Sequence, residues 1–154
     1  MRWIWCVVFG LLTASGAWAT GGAVVELTAR GSFEDVKQTL VLAIENRGLV
    51  VNHQSNVGDM LARTGKDLGA EKQIYARAEV LEFCSATLSR KVMEADHRLL
   101  ALCPYGIGIY VLPGDVERVH LVYRRPSVGA ASPASEALLK VDQLLHEIVQ
   151  EAVQ

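Results

Sequence analysis

The sequence predicts an α+β fold: a two-layer sandwich, with a mixed or antiparallel sheet and helices packed on one face. Three observations predict it. Strand and helix patterns are interspersed in the order strand, helix, strand, short helix, strand, helix, strand, strand, helix. The two consecutive strands flank Pro113-Gly114-Asp115, a turn signal that makes them a hairpin. A closing helix is expected over about 135–153, where Leu138, Val141, Leu145, Ile148 and Ala152 form one apolar stripe, widened by Leu144 and Val149.

Residues 1–19 read as a targeting segment and not as part of the fold. Arg2 supplies a positive start, Trp3 to Leu12 is an apolar run too short to span a bilayer, and Ala17-Trp18-Ala19 is an A-x-A end. Cleavage is expected after Ala19, leaving a single domain over 20–154 that is periplasmic or secreted, with no stable membrane anchor. Cys6 lies inside the apolar run without a lipobox before it, so it is not read as a lipid-bearing cysteine. Losing Arg2 leaves 14 basic against 17 acidic residues, net −3. That balance argues against nucleic acid or an anionic membrane surface as a partner, since both select a basic patch.

From the mature end, Val24 to Ala29 reads as a strand broken at Gly31. Ser32 and Asp35 resemble a capping box, and Phe33, Val36, Leu40, Ala43 and Ile44 follow at helical spacing. Gly48 supplies the helix end. Leu49 to Gln54 is a second strand, Asn56 to Asp59 a turn, and Met60 to Asp67 a short helix interrupted at Gly65. Ile74 to Phe83 is a third strand. Ser85 caps a helix whose buried stripe is Leu88, Val92, Ala95 and Leu99. Tyr105, Ile107, Ile109 and Val111 form one face of the next strand; Gly106, Gly108 and Tyr110 form the other. Two glycines on one strand face predict a hollow that admits a close backbone, a small ligand or a second subunit. Val119, Leu121 and Tyr123 carry the inward face of the last strand, and 126–133 reads as a linker.

The Glu82-Phe83-Cys84-Ser85 stretch, the helix ending Glu94-Ala95-Asp96, and Leu102-Cys103-Pro104-Tyr105-Gly106-Ile107-Gly108-Ile109-Tyr110 together resemble the domain of unknown function 302 family, over roughly Phe33 to Arg124. Phe83-Cys84 and Cys103-Pro104 occupy the family's Phe-Cys and Cys-Pro positions; Asp96-His97 stands where Asp-Pro is common. The resemblance implies a compact, self-associating α+β domain, hence a homodimer. It implies no established activity.

Function therefore has to be argued from side chains. Cys84 and Cys103 are the two cysteines left after export, and an even count in an oxidising compartment favours a disulfide. Cys84 also stands where a strand feeds a helix N-terminus, a position that lowers a thiol's pKa. Three readings stay open: a structural disulfide, two small buried thiols, and a thiol-dependent redox or sulfur-handling site. Geometry separates them. If the strands ending at Phe83 and beginning at Pro104 run antiparallel, the two cysteines share a sheet edge; if parallel, they lie roughly 20 Å apart.

A copper or zinc site could draw on Cys84, Cys103, His97 and His120, although their spacing matches no finger or ribbon. Gly58 to Lys66 fails as a phosphate loop, and Gly106-Ile107-Gly108 lacks the third glycine of a dinucleotide fingerprint. Glu79 and Glu82 read as solvated strand residues. No complete catalytic constellation emerges. The leading expectation is a non-enzymatic small-ligand-binding or protein-interaction module, with Cys84, Cys103, Gly106, Gly108 and Tyr110 as candidate contacts.

Overall fold

The structure, a computed structural model, describes residues 23–70, 72–127 and 132–154. The expected targeting segment and half of the linker lie outside them. Five strands form one sheet: β1 (Val24–Arg30), β2 (Val51–Ser55), β3 (Arg77–Phe83), β4 (Tyr105–Leu112) and β5 (Asp115–Arg124). Their order is β1-β5-β4-β3-β2, and every neighbouring pair is antiparallel. Four helices accompany them: α1 (Phe33–Glu45), α2 (Val57–Asp67), α3 (Ala86–Ala95) and α4 (Ser135–Ala152).

Alternation decides which face of the sheet is covered. Leu81 and Phe83 of β3, Tyr105 to Val111 at every second residue of β4, and Val119, Leu121 and Tyr123 of β5 all point into one buried layer. The expected stripes of α1 and α4 meet them there: Phe33, Val36, Leu40, Ala43 and Ile44 from one helix, Leu138, Val141, Leu145, Ile148, Val149 and Ala152 from the other. α3 packs on α4 at the same side. This apolar layer supplies most of the driving force for folding.

Local chemistry sets the helix ends. The Ser32 hydroxyl accepts the Asp35 amide at 3.1 Å, as the capping-box pattern predicts, and also donates to the Asp35 carboxylate at 2.6 Å. Gly48 has φ +70°, the left-handed conformation that stops α1. α2 starts earlier than the sequence predicts, because Asn56 is its cap and not a turn residue: its side-chain oxygen accepts the Asp59 amide at 3.0 Å. Gly65 sits inside α2 without breaking it. Gly58 is the glycine that matters there, since a methyl at its Cα would lie 2.8 Å from the Ala78 backbone nitrogen. α3 ends at Ala95, one turn before the expected Leu99. Asp96 turns extended and caps a 3-10 segment, His97–Leu102, that carries the chain into β4.

Candidate functional site

The antiparallel pairing of β3 with β4 brings the two cysteines together. Phe83 is the register partner of Tyr105, so Cys84 leaves β3 at the edge where Cys103 enters β4. Both are free thiols and half-buried. The two thiols are close enough to act on one another, and the Tyr105 backbone amide also acts on Cys84. The Ser89 hydroxyl, one turn into α3, lies 3.8 Å from Cys103 Sγ and 3.1 Å from the Tyr105 hydroxyl. Phe83 closes the inner side, edge-on to the Tyr105 ring at 6.3 Å. The Cys103-Pro104 peptide is cis.

The electrostatics reverse one expectation. Burial pushes the Cys84 thiol up to about 11, and its hydrogen bond to Cys103 and the Glu82 charge push the same way. Cys84 stands before the cap, and the Ser85 hydroxyl faces the Leu88 amide at 3.5 Å. Desolvation of a thiolate therefore wins over the helix N-terminus. Burial also raises the Tyr105 phenol. At neutral pH the Cys84 thiol and the Tyr105 phenol therefore keep their protons.

The histidines do not join it. His97 is exposed in the 3-10 segment, and His120 faces the other side of the sheet in the middle of β5. Among the described residues no three His, Cys, Asp or Glu side chains come together as a metal site. The four-ligand set of Cys84, Cys103, His97 and His120 is thus reduced to its two sulfurs.

Gly106 and Gly108 do not leave a hollow either. A methyl on Gly108 would meet Val122 Cγ2 at 2.9 Å, and one on Gly106 would meet Val80 Cγ1 at 3.4 Å. Valines of the flanking strands lean across and fill the face from within the sheet. Tyr110, further along, belongs to an aromatic row. Its ring contacts Tyr75 at 5.2 Å and stacks on His120 at 4.5 Å. Glu26 Oε1 accepts the Tyr110 hydroxyl at 2.9 Å and pairs with His120 Nδ1 at 2.6 Å. Burial, followed by the bond to Glu26, pushes the Tyr110 phenol up to about 12.

Glu79 is the residue that sequence reasoning misplaced. It is 3% exposed and not a solvated strand residue. Its carboxylate receives Lys37 Nζ at 2.5 Å, Gln54 Nε2 at 2.7 Å, and Arg77 Nη2 and Nε at 2.7 and 3.0 Å. Arg77 also pairs with Glu34 and lies 4.1 Å over the Phe33 ring. Burial alone would raise the Glu79 carboxyl; the bonds from Lys37 and Arg77 outweigh it and hold it below the usual carboxylate range. Period-two alternation already placed Glu79 on the face of Leu81 and Phe83, and that was the available signal.

Comparison with solved structures supports the same architecture. The crystal structure of an uncharacterized conserved protein DUF302 from Bacillus stearothermophilus superimposes with a TM-score of 0.70 at 16% identity, covering 84% of this chain and 98% of that one. At that identity the likeness speaks for the fold alone. No curated protein matches the chain. The family model described as "Domain of unknown function DUF302" matches residues 25–152, nearly the whole described fold, and the chain belongs to that family.

Proposed function

We propose that the chain is an exported, non-enzymatic interaction domain whose Cys84–Cys103 pair switches between a dithiol and a disulfide. One observation carries the reading: two half-buried free thiols are brought to one edge of an antiparallel strand pair. A small-molecule disulfide is the oxidant. One thiol, deprotonated, attacks it and displaces one thiol product. The second cysteine then attacks the mixed disulfide and displaces the other. The two protein thiol protons end on the two released thiols, and the Sγ–Sγ bond replaces the bond broken in the oxidant.

The raised Cys84 pKa supports a slow switch and speaks against a thiolate enzyme. The thiolate fraction of Cys84 at pH 7 is small and grows about tenfold per pH unit towards the folded-state value. Alkylation of Cys84 should therefore be slow at pH 7 and accelerate in that proportion between pH 7 and 9.

Mass spectrometry of the exported protein, with and without reductant, tests the proposal in one experiment. The expected N-terminus is Thr20. Treatment with oxidised glutathione should remove two hydrogens and leave no adduct. Closing the 84–103 loop should add about 3 kcal/mol to stability in the chain-entropy model. A stable glutathione adduct on either cysteine, with no intramolecular closure, would overturn the switch. The homodimer is proposed on two grounds, the self-association implied by the resemblance and the open sheet edges of β1 and β2. Sedimentation as a monomer at micromolar concentration would remove it.

A further inference from the structure

α2 is an unusual helix for a folded domain. It spans 11 residues and none is buried. It touches the rest of the fold mainly through β3, where Gly58 comes against the Arg77–Ala78 backbone. Beyond Gly58 the helix stands off from the chain that leads into β3, and the gap is a cavity of about 330 Å³. That lies within the size range of small-molecule sites. Leu61, Ile74 and Tyr75 give it apolar walls, and Lys66 and Lys72 also line it. Neither lysine forms an ion pair among the described residues, whereas Lys37, Arg77 and Arg125 do.

The walls and the two cations define a ligand chemistry. An apolar body gains by leaving water against Leu61, Ile74 and Tyr75. A single negative charge at one end gains from two ammonium groups that have no ion-pair partner among the described residues. We propose that this cavity binds a small amphipathic carboxylate, an alkyl or aryl acid, with its hydrocarbon between α2 and Tyr75 and its carboxylate between Lys66 and Lys72.

The site is separate from the thiol pair. It adjoins the Arg77 end of β3, whereas Cys84 follows the Phe83 end, roughly 20 Å of strand away. It has its own readout, because the Tyr75 ring rests on Tyr110, which stacks on His120. Occupancy should therefore be felt along that aromatic row and not at Cys103.

The test is an NMR titration of the full mature chain with octanoate, with octanol and inorganic phosphate run alongside. Saturable octanoate shifts are expected at Leu61, Gly65, residues 72–75 and the Tyr110 ring. Octanol should bind at least tenfold more weakly, and phosphate should not saturate. Raised salt should weaken octanoate and leave octanol unchanged. Exchanging both cations, Lys66→Gln with Lys72→Gln, should weaken octanoate at least tenfold while the β4 and β5 resonances stay in place. Ala62→Trp, which fills the cavity from an exposed helix position, should abolish binding. Linear, unsaturable or scattered octanoate shifts would overturn the proposal. So would unchanged octanoate affinity in either variant, or phosphate binding as tightly as octanoate.

Discussion

Replacing Lys37 and Arg77 together by methionine should cost about 3–5 kcal/mol of folding stability at pH 7, the range for stranding one member of a buried ion pair. Glu79 is 3% exposed and would keep only Gln54 as a partner. Loss of the Arg77 guanidinium from the Phe33 ring adds about 0.5–1 kcal/mol. The pH dependence gives the diagnostic sign. In the native protein the Glu79 carboxyl is held below its ordinary value of 4.5. Its contribution is thus complete above that value and is lost as pH falls through the folded-state pKa. In the double variant burial is opposed by the Gln54 bond alone and raises the carboxyl instead, so acidification from pH 7 to 5 should recover stability. Urea unfolding at the two pH values separates the cases. A double variant that loses less than about 1 kcal/mol at pH 7 would show that Glu79 is solvated after all.

Phe83→Ala should be comparably severe, about 3–5 kcal/mol, as for other fully buried aromatic truncations. The ring is wholly enclosed at the end of β3 and stands edge-on to Tyr105. Its removal opens the inner wall of the thiol cluster as well as the core. Water reaching Cys84 would relieve the desolvation that raises its pKa, so alkylation at pH 7 should quicken in the variant under folding conditions. Unfolding midpoints measure the first effect, and timed alkylation with mass detection measures the second. Large destabilisation with native alkylation rates would mean that Phe83 supports the core without shielding the sulfurs.

These two sites differ in how far they were legible beforehand. The apolar layer was readable almost residue by residue. The α1 stripe, the α4 stripe and the inward set of β4 each repeat with the period of their element, and each is buried as predicted. Local chemistry at Ser32, Gly48 and Gly114 was readable for the same reason: the partner groups lie within a few residues. What depended on distant partners was not. Glu79 looks like a surface carboxylate until α1 brings Lys37 over it. Gly106 and Gly108 look like a hollow until Val80 and Val122 are set beside them. Cys84 carries a local signal for a lowered pKa, and the burial that defeats it is supplied by β4 and α3. Asn56 was the local miss, because an Asn-rich turn and an Asn helix cap use the same side-chain chemistry.

The strand order has a kinetic corollary. β1 has one neighbour, β5, and Leu27 finds its register mate only at Leu121. A translating ribosome must release the late hairpin before the first strand has anything to zip against. The first strand therefore waits longest for its place in the sheet, a long-range pairing of the kind that slows folding.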